Sequence, residues 1–403
     1  MYGVNQQTLL TFQAYRASTD SQAAFASLTY AISPTFRLTA GGRYTKDDKT
    51  FAGTTTADIV KCNLFGPFGP SCPNAPTFDY SLVTNVPPNF IPGPDGTITI
   101  LSKVDLTGAN AQASSYNKFT WRAAAEADLT DHNLLYASAE TGFKSGGFFF
   151  QYTGGVYKPE SLRAYTLGSK NRFLDNRLQL NLELFYWLYH DQQISHLKFD
   201  ATNPFTTQAL IFPTENIGQS AIKGVEVDVQ ARILPHTLLS ADVQYNDAVY
   251  DDYRYLVPNL NNGFDNGTGC PSVNFMPGDT SYHVNCSGRQ PAYAPRWTVT
   301  GAIQQTVPLH SGAHLEGNAR VHYQSETYTA LEFLASEQQP GYSMWDFDLT
   351  YASAGDRYFM GAFVNNAFDR TALAFSFQAP LSNFMTATLQ HPRTFGVRAG
   401  IHF

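Results

Sequence analysis

Between Lys223 and Ile233 the side chains alternate in kind. Val225, Val227, Val229, Ala231 and Ile233 are apolar, while Glu226, Asp228, Gln230 and Arg232 between them are polar or charged. The same rhythm reaches the C-terminus, where Phe395, Val397, Ala399, Ile401 and Phe403 interleave with Gly396, Arg398, Gly400 and His402. Successive side chains of a strand point to opposite faces, so a period of two specifies strands with one apolar and one polar face. Residues 177–195 show this at length, with Leu178, Leu180, Leu182, Leu184, Tyr186 and Leu188 on one face. Gln179, Asn181 and Glu183 take the other, followed by Trp187 and Tyr189 near the rim. A soluble protein with this many half-polar strands needs a very large two-layer core. A closed sheet in lipid satisfies every backbone group and leaves no edge. The expected fold class is all-β, an antiparallel transmembrane β-barrel.

Turns and loops follow an asymmetric rhythm. Short turn signals stand at Ser33-Pro34-Thr35, Thr130-Asp131-His132-Asn133, Leu174-Asp175-Asn176-Arg177, Leu234-Pro235-His236, 308–313 and Ala354-Gly355-Asp356. They carry the Pro, Asp, Asn and Gly that tight turns favour. Between them lie long connections near 53–113, 149–160, 196–214, 254–294, 329–342 and 372–392. Short turns at one end and long loops at the other put turns in the periplasm and loops outside the cell, in an outer membrane. The segments between read as thirteen strands, beginning at 18–32 and ending at 393–403, and a remnant before residue 15 makes about fourteen. Residues 1–403 form a single barrel domain in this reading, with its longest extracellular loops near 53–113, 254–294 and 372–392.

Composition removes other classes. No run approaches the ~20 apolar residues of a membrane-spanning helix, a test that a barrel escapes because half of each strand faces water. A net charge of -7 argues against nucleic acid as a partner. The four cysteines fall as two local pairs in Pro/Gly/Asn-rich stretches, Cys62 with Cys72 and Cys270 with Cys286. Each pair reads as a small disulfide loop made in an oxidising compartment. Zinc ligation competes less well, since no Cys-x-x-Cys unit occurs, although His283 lies near Cys286. The start, Met1-Tyr2-Gly3-Val4-Asn5, has neither a basic nor an apolar leader region, so the chain is expected to be part of a longer exported protein.

Several motifs carry a closer resemblance. Leu135-Tyr136-Ala137-Ser138 runs into Thr141-Gly142-Phe143-Lys144-Ser145-Gly146-Gly147-Phe148, and Leu162-Arg163-Ala164-Tyr165-Thr166-Leu167-Gly168-Ser169-Lys170 follows. Then come Asn216-Ile217-Gly218 with Gly224-Val225-Glu226, Val364-Asn365-Asn366-Ala367-Phe368-Asp369, and Pro392-Arg393-Thr394-Phe395-Gly396. In this order they resemble the barrel of TonB-dependent outer-membrane receptors of Gram-negative bacteria. Leu162–Lys170 departs from the commoner Glu-x-Glu-x-Gly-x-Lys form. The resemblance implies a barrel of ~22 strands around a plug, of which this chain supplies the C-terminal part without the plug. It implies uptake of a scarce ligand, most often a ferric siderophore, with periplasmic TonB acting through the plug. It also implies contact with outer-membrane lipid, and recognition of the terminal Phe403 by the barrel-assembly machinery. Left alone, the first and last strands are expected to remain edges. The alternative is a complete smaller barrel acting as a passive pore, and a third reading is a surface adhesin built on the loops.

No enzyme is expected, because nothing pairs a nucleophile with a base, and no cofactor is implied. His310 and His314 flank a turn rather than a helix, so no metal site is assigned. The run Gly142–Gly147 lacks phosphate-loop spacing, and its glycines read as a bend at the rim. Asn261–Gly267 offers oxygen ligands but does not fit an EF-hand. The candidate ligand contacts are aromatic and cationic loop residues: Phe148, Phe149, Phe150 and Tyr152 in one loop, and Arg289 and Tyr293 in another. Arg122, Glu126, Glu183, Glu226, Asp228 and Arg320 would line the lumen, facing a plug or pairing across strands.

Overall fold

In this computed structural model, the described residues are 7–61, 89–92, 98–101, 111–149, 155–199, 210–258, 267–273, 281–310, 312–378 and 385–402. The wall is one antiparallel meander whose strands pair in chain order. It runs β1 (Gln7–Ser33), β2 (Phe36–Lys61), β3 (Gln112–Thr130), β4 (Asn133–Lys144), β5 (Glu160–Phe173) and β6 (Leu178–Ser195). It continues through β7 (Thr214–Leu234), β8 (Thr237–Pro258), β9 (Trp297–Pro308), β10 (His314–Gln324), β11 (Tyr342–Ala352), β12 (Tyr358–Asn365) and β13 (Thr394–Ile401). All six short turns join strands at one end, and the long connections leave from the other.

The register shows how alternation becomes a two-sided wall. Leu182 on β6 lies opposite Ser169 on β5 and Val227 on β7, and Leu184 lies opposite Leu167 and Val225. A band of aliphatic side chains therefore crosses neighbouring strands on one face, and Leu182, Leu184 and Tyr186 are exposed on it. Aromatic rings mark its loop-side border, where Tyr165 and Tyr186 stack at 6.4 Å and Tyr245 meets Trp297 at 4.9 Å. A lipid-facing band edged by aromatics is what a membrane barrel presents.

The opposite face is polar and cross-bonded. Arg37 on β2 reaches Glu126 on β3 at 3.2 Å and also pairs with Asp128. Asn181 donates to Asp228 at 2.9 Å, Gln244 to Glu226 at 2.7 Å, and Arg398 pairs with Asp348 at 2.8 Å. Two motif glycines have a steric reason on this face. The Tyr136 ring lies flat over Gly168, and the Phe185 ring over Gly224, where a Cβ would collide with ring atoms and, at Gly224, with the Tyr245 carbonyl. Glycine admits the ring, and the ring in turn covers the exposed backbone.

Two features differ from the sequence reading. The remnant before residue 15 is no separate strand but the first part of β1, which stays laddered to β2 from Gln7 opposite Lys61 to Ser33 opposite Phe36. The wall thus has thirteen strands along its path. For the same reason β2 runs to Lys61, beyond the loop start expected at 53. Past the apolar band the outward rows become polar, as Asp20 opposite Asp48 and Gln22 opposite Lys46 show. The alternation therefore fades while the ladder continues. Among the described residues, β1 pairs only with β2 and β13 only with β12, so the sheet is open.

The two faces make opposite forecasts. Leu182→Arg, in the middle of the apolar band, should cost about 2–4 kcal/mol. Gln179→Arg, facing Asp228 across the polar face, should stay within about 1 kcal/mol. Urea unfolding of the receptor in lipid vesicles measures both.

Candidate functional site

Two surfaces gather the chemistry that the wall strands carry. The first is a recess of about 370 Å³ on the polar face, spanning β4 to β9. Glu183, Glu226, Asp228 and Asp242 converge on it, with Lys170 and Tyr136 on one side. Tyr136 Oη donates to Glu183 at 2.6 Å, and the Lys170 ammonium lies 5.8 Å from the Tyr136 ring centre. Strand pairing places these groups, since Glu183 stands opposite Glu226 and Asp228 opposite Asp242. Like charges held in adjacent rows make this an electronegative patch suited to cationic partner groups. Of the other lumen candidates, Glu126 is held by Arg37, Arg122 lies 3.5 Å from Glu140, and Arg320 stands opposite Asp346.

The second surface is a cap at the loop end. Cys270 and Cys286 are joined, with S–S 1.98 Å, and close a loop that folds back on β8 as a strand over Ser281–Asn285. Around them Tyr250, Tyr253, Tyr255, Val257, Val284 and Phe333 form a buried cluster. Phe333 comes from the β10–β11 connection and meets Tyr253 edge-on at 6.4 Å and Tyr328 at 5.3 Å. The cap thus has a small hydrophobic core of its own, and the disulfide is part of it.

The sequence-derived ligand candidates divide between two places. Phe148 belongs to a short hairpin, Gly147–Phe149 with Gly155–Tyr157, and stacks on Phe51 at 5.9 Å. Phe149 lies against Gly155 in the same hairpin. Phe150, Tyr152, Cys62, Cys72 and Phe403 fall outside the described residues. Arg289 and Tyr293 belong to the cap. The Arg289 guanidinium lies 5.9 Å from the Tyr328 ring centre and 5.8 Å from that of Phe333, and donates to the Gly269 carbonyl at 2.6 Å. Tyr293 adopts φ 60 and donates its hydroxyl to the Thr329 carbonyl, while its ring stays 51% exposed. Among the described residues no ring contact or hydrogen bond joins the Phe148 hairpin to the Arg289–Tyr293 pair. Arg289 is thereby committed to holding loops together, and Tyr293 presents a free ring face.

Sequence reasoning missed the residues that build the cap. The dense Tyr250-Asp-Asp-Tyr253-Arg-Tyr255 run was the available signal. His196, buried against Tyr255 and bonded to Glu215 at 2.7 Å, had none, and neither had Glu337, whose side chain is wholly buried.

A two-faced antiparallel wall with short turns at one end and a capped loop end defines a transmembrane β-barrel of the outer-membrane type. The chain belongs to the TonB-dependent receptor-like β-barrel family, which matches residues 2–367. That family is one of outer-membrane transporters and receptors of Gram-negative bacteria, not of enzymes. The fold is similar to that of the ferric yersiniabactin uptake receptor FyuA from Yersinia pestis, with TM-score 0.66 and 16% identity over 98% of this chain and 47% of that one. It is also similar to the ferric-catecholate import receptor Fiu from E. coli K12 in its closed form, with TM-score 0.58 and 18% identity over 96% and 45%. The copper transporter OprC gives TM-score 0.54 at 12% identity over 96% and 48%. The chain spans about half the length of each of these structures.

The cap core carries its own forecast. Phe333→Ala removes a fully buried ring and should destabilise the cap by about 3 kcal/mol or more. Amide protection at Thr329 and Cys286 should fall roughly a hundredfold as a result. The amides of β10 should be unchanged, as hydrogen exchange resolved by residue will show.

Proposed function

We propose that this chain is wall and loop cap of a receptor that takes up a scarce, large chelate, a ferric siderophore by class, through a Gram-negative outer membrane. The observation that carries the reading is the cap: long connections at one end are knitted into a structured surface over a polar lumen wall. In this reading the loop end faces outward and the turn end faces the periplasm. Tyr293, Phe148 and Phe149 offer aromatic surface to a ligand, Phe150 and Tyr152 are kept as candidates on their sequence alone, and Arg289 holds the platform beneath. The acidic recess faces a plug, through which periplasmic TonB acts, and the apolar band meets outer-membrane lipid. Phe403 serves the barrel-assembly machinery.

Similarity to both ferric-chelate receptors and a copper transporter leaves the metal of the cargo to experiment. A strain lacking the gene, grown under iron limitation on defined ferric chelates, should lose growth on one of them and regain it with the full-length gene. Uptake of that chelate should saturate and should cease when the proton gradient is collapsed. Uptake that rises linearly with concentration and survives the uncoupler would establish the passive-pore reading instead. Tyr293→Ala should weaken binding of the identified chelate about tenfold, through loss of one aromatic contact, as titration of the purified receptor will measure.

A further inference from the structure

Four connections at the loop end touch in a closed circuit. In the β6–β7 connection the His196 ring lies 4.9 Å from Tyr255 of β8. Tyr253, also of β8, meets Phe333 of the β10–β11 connection, and Tyr293 of the β8–β9 connection donates to Thr329 there. Thr329 in turn bonds Ser376 of the β12–β13 connection at 2.6 Å, and the Leu373 amide donates to Gln339 Oε1 at 2.6 Å. Phe377, from that same connection, meets Phe212 of the β6–β7 connection edge-on at 6.1 Å, which closes the circuit.

Glu337 sits at the link on which the circuit depends. Its carbonyl accepts from Thr329 N and from Thr329 Oγ1, each at 2.9 Å, and so fixes the hydroxyl that Ser376 bonds. Its own carboxyl has no exposed surface. Oε2 accepts from the Leu334 amide at 2.9 Å, while Oε1 has no hydrogen-bond partner among the described residues. A carboxylate in a dry site with one donor is under-solvated, and the neutral acid is much less so.

We infer that Glu337 is a proton-operated latch on the loop circuit: protonated, it lets the four connections pack closed, and ionised, it loosens the Thr329–Ser376 link and frees the cap. The groups around it set the direction. Glu332, in the same connection, adds a like charge. Arg289 is directed to Gly269 and Tyr328 rather than to the carboxylate. Tyr255 and Tyr293 present phenols, and His196 and Lys198 are both occupied by Glu215. The segment Leu373–Gln378 brings no charge. Burial, reinforced by Glu332, pushes the Glu337 carboxyl up to about 7 from an ordinary 4.5. Because the packed-state value is raised, the stabilisation is complete below the ordinary carboxylate range and is lost as pH rises toward about 7. The latch acts on loop packing alone and is indifferent to which ligand the receptor carries.

Residue-resolved hydrogen exchange on the full-length receptor in lipid nanodiscs tests this, read as protection factors so that the intrinsic pH dependence of exchange is removed. Protection at Thr329, Leu334 and Ser376 should fall about thirtyfold between pH 5.5 and 8.5, with the β10 amides constant. In Glu337→Gln, whose amide cannot ionise, protection should be independent of pH. A flat wild-type profile overturns the latch without recourse to any variant. A fall that persists in Glu337→Gln overturns it as well.

Discussion

The backbone hydrogen bond, and the absence of any substitute for it in hydrocarbon, is the constraint on which this structure rests. An unpaired amide in lipid costs several kcal/mol, so strands cross side by side, each laddered to its neighbours in the sheet. That requirement makes the meander continuous from β1 to β13. It explains why the connections inside the wall are tight turns, and why irregular chain is confined to the loop end. Side chains then have only to choose a face. Lipid takes the aliphatic rows, and the polar rows are left to pair with one another, as Arg37 does with Glu126 and Asp128.

The wall was legible in the sequence because its determinant is local. Every other residue reports which solvent it meets, and Leu178 to Leu188 say so without reference to any other strand. Where both faces meet water, the signal lapses, which is why the first part of β1 read as a separate remnant. The cap was only half legible. Cys270 and Cys286 stood out by type, and Arg289 and Tyr293 by their position beside that loop. Phe333 and Glu337 belong to a stretch, 329–342, that reads only as one of the long connections. Phe333 is buried among residues some 80 positions away, Tyr253 and Tyr255 among them. A partner so distant leaves no periodic trace in a single chain.

Wall and cap are held by different physics. The wall gains little from apolar burial, since lipid is as apolar as leucine, and it relies on the ladder and on ring-over-glycine packing at Gly168 and Gly224. The cap stands in water and behaves as a small soluble domain. It has a nucleus of tyrosines and Phe333, a disulfide closing a separation of 16 residues, and a guanidinium lying over its aromatic rings. The two can therefore respond to different conditions. Loop packing can change while the wall remains intact, a separation that a gated pore requires.

The length of the first hairpin has a consequence for the space around the barrel. β1 has 27 residues and β2 has 26. At about 3.3 Å per residue the longer strand reaches about 90 Å, and a tilt of about 40° leaves about 70 Å along the membrane normal. The hydrocarbon layer takes up about 30 Å of that. With its turn anchored at one interface, the ribbon stands tens of ångströms clear of the lipid on the other side, like a mast fixed to the edge of the wall. Out there the ribbon is held by its own ladder, which runs on to Gln7 opposite Lys61.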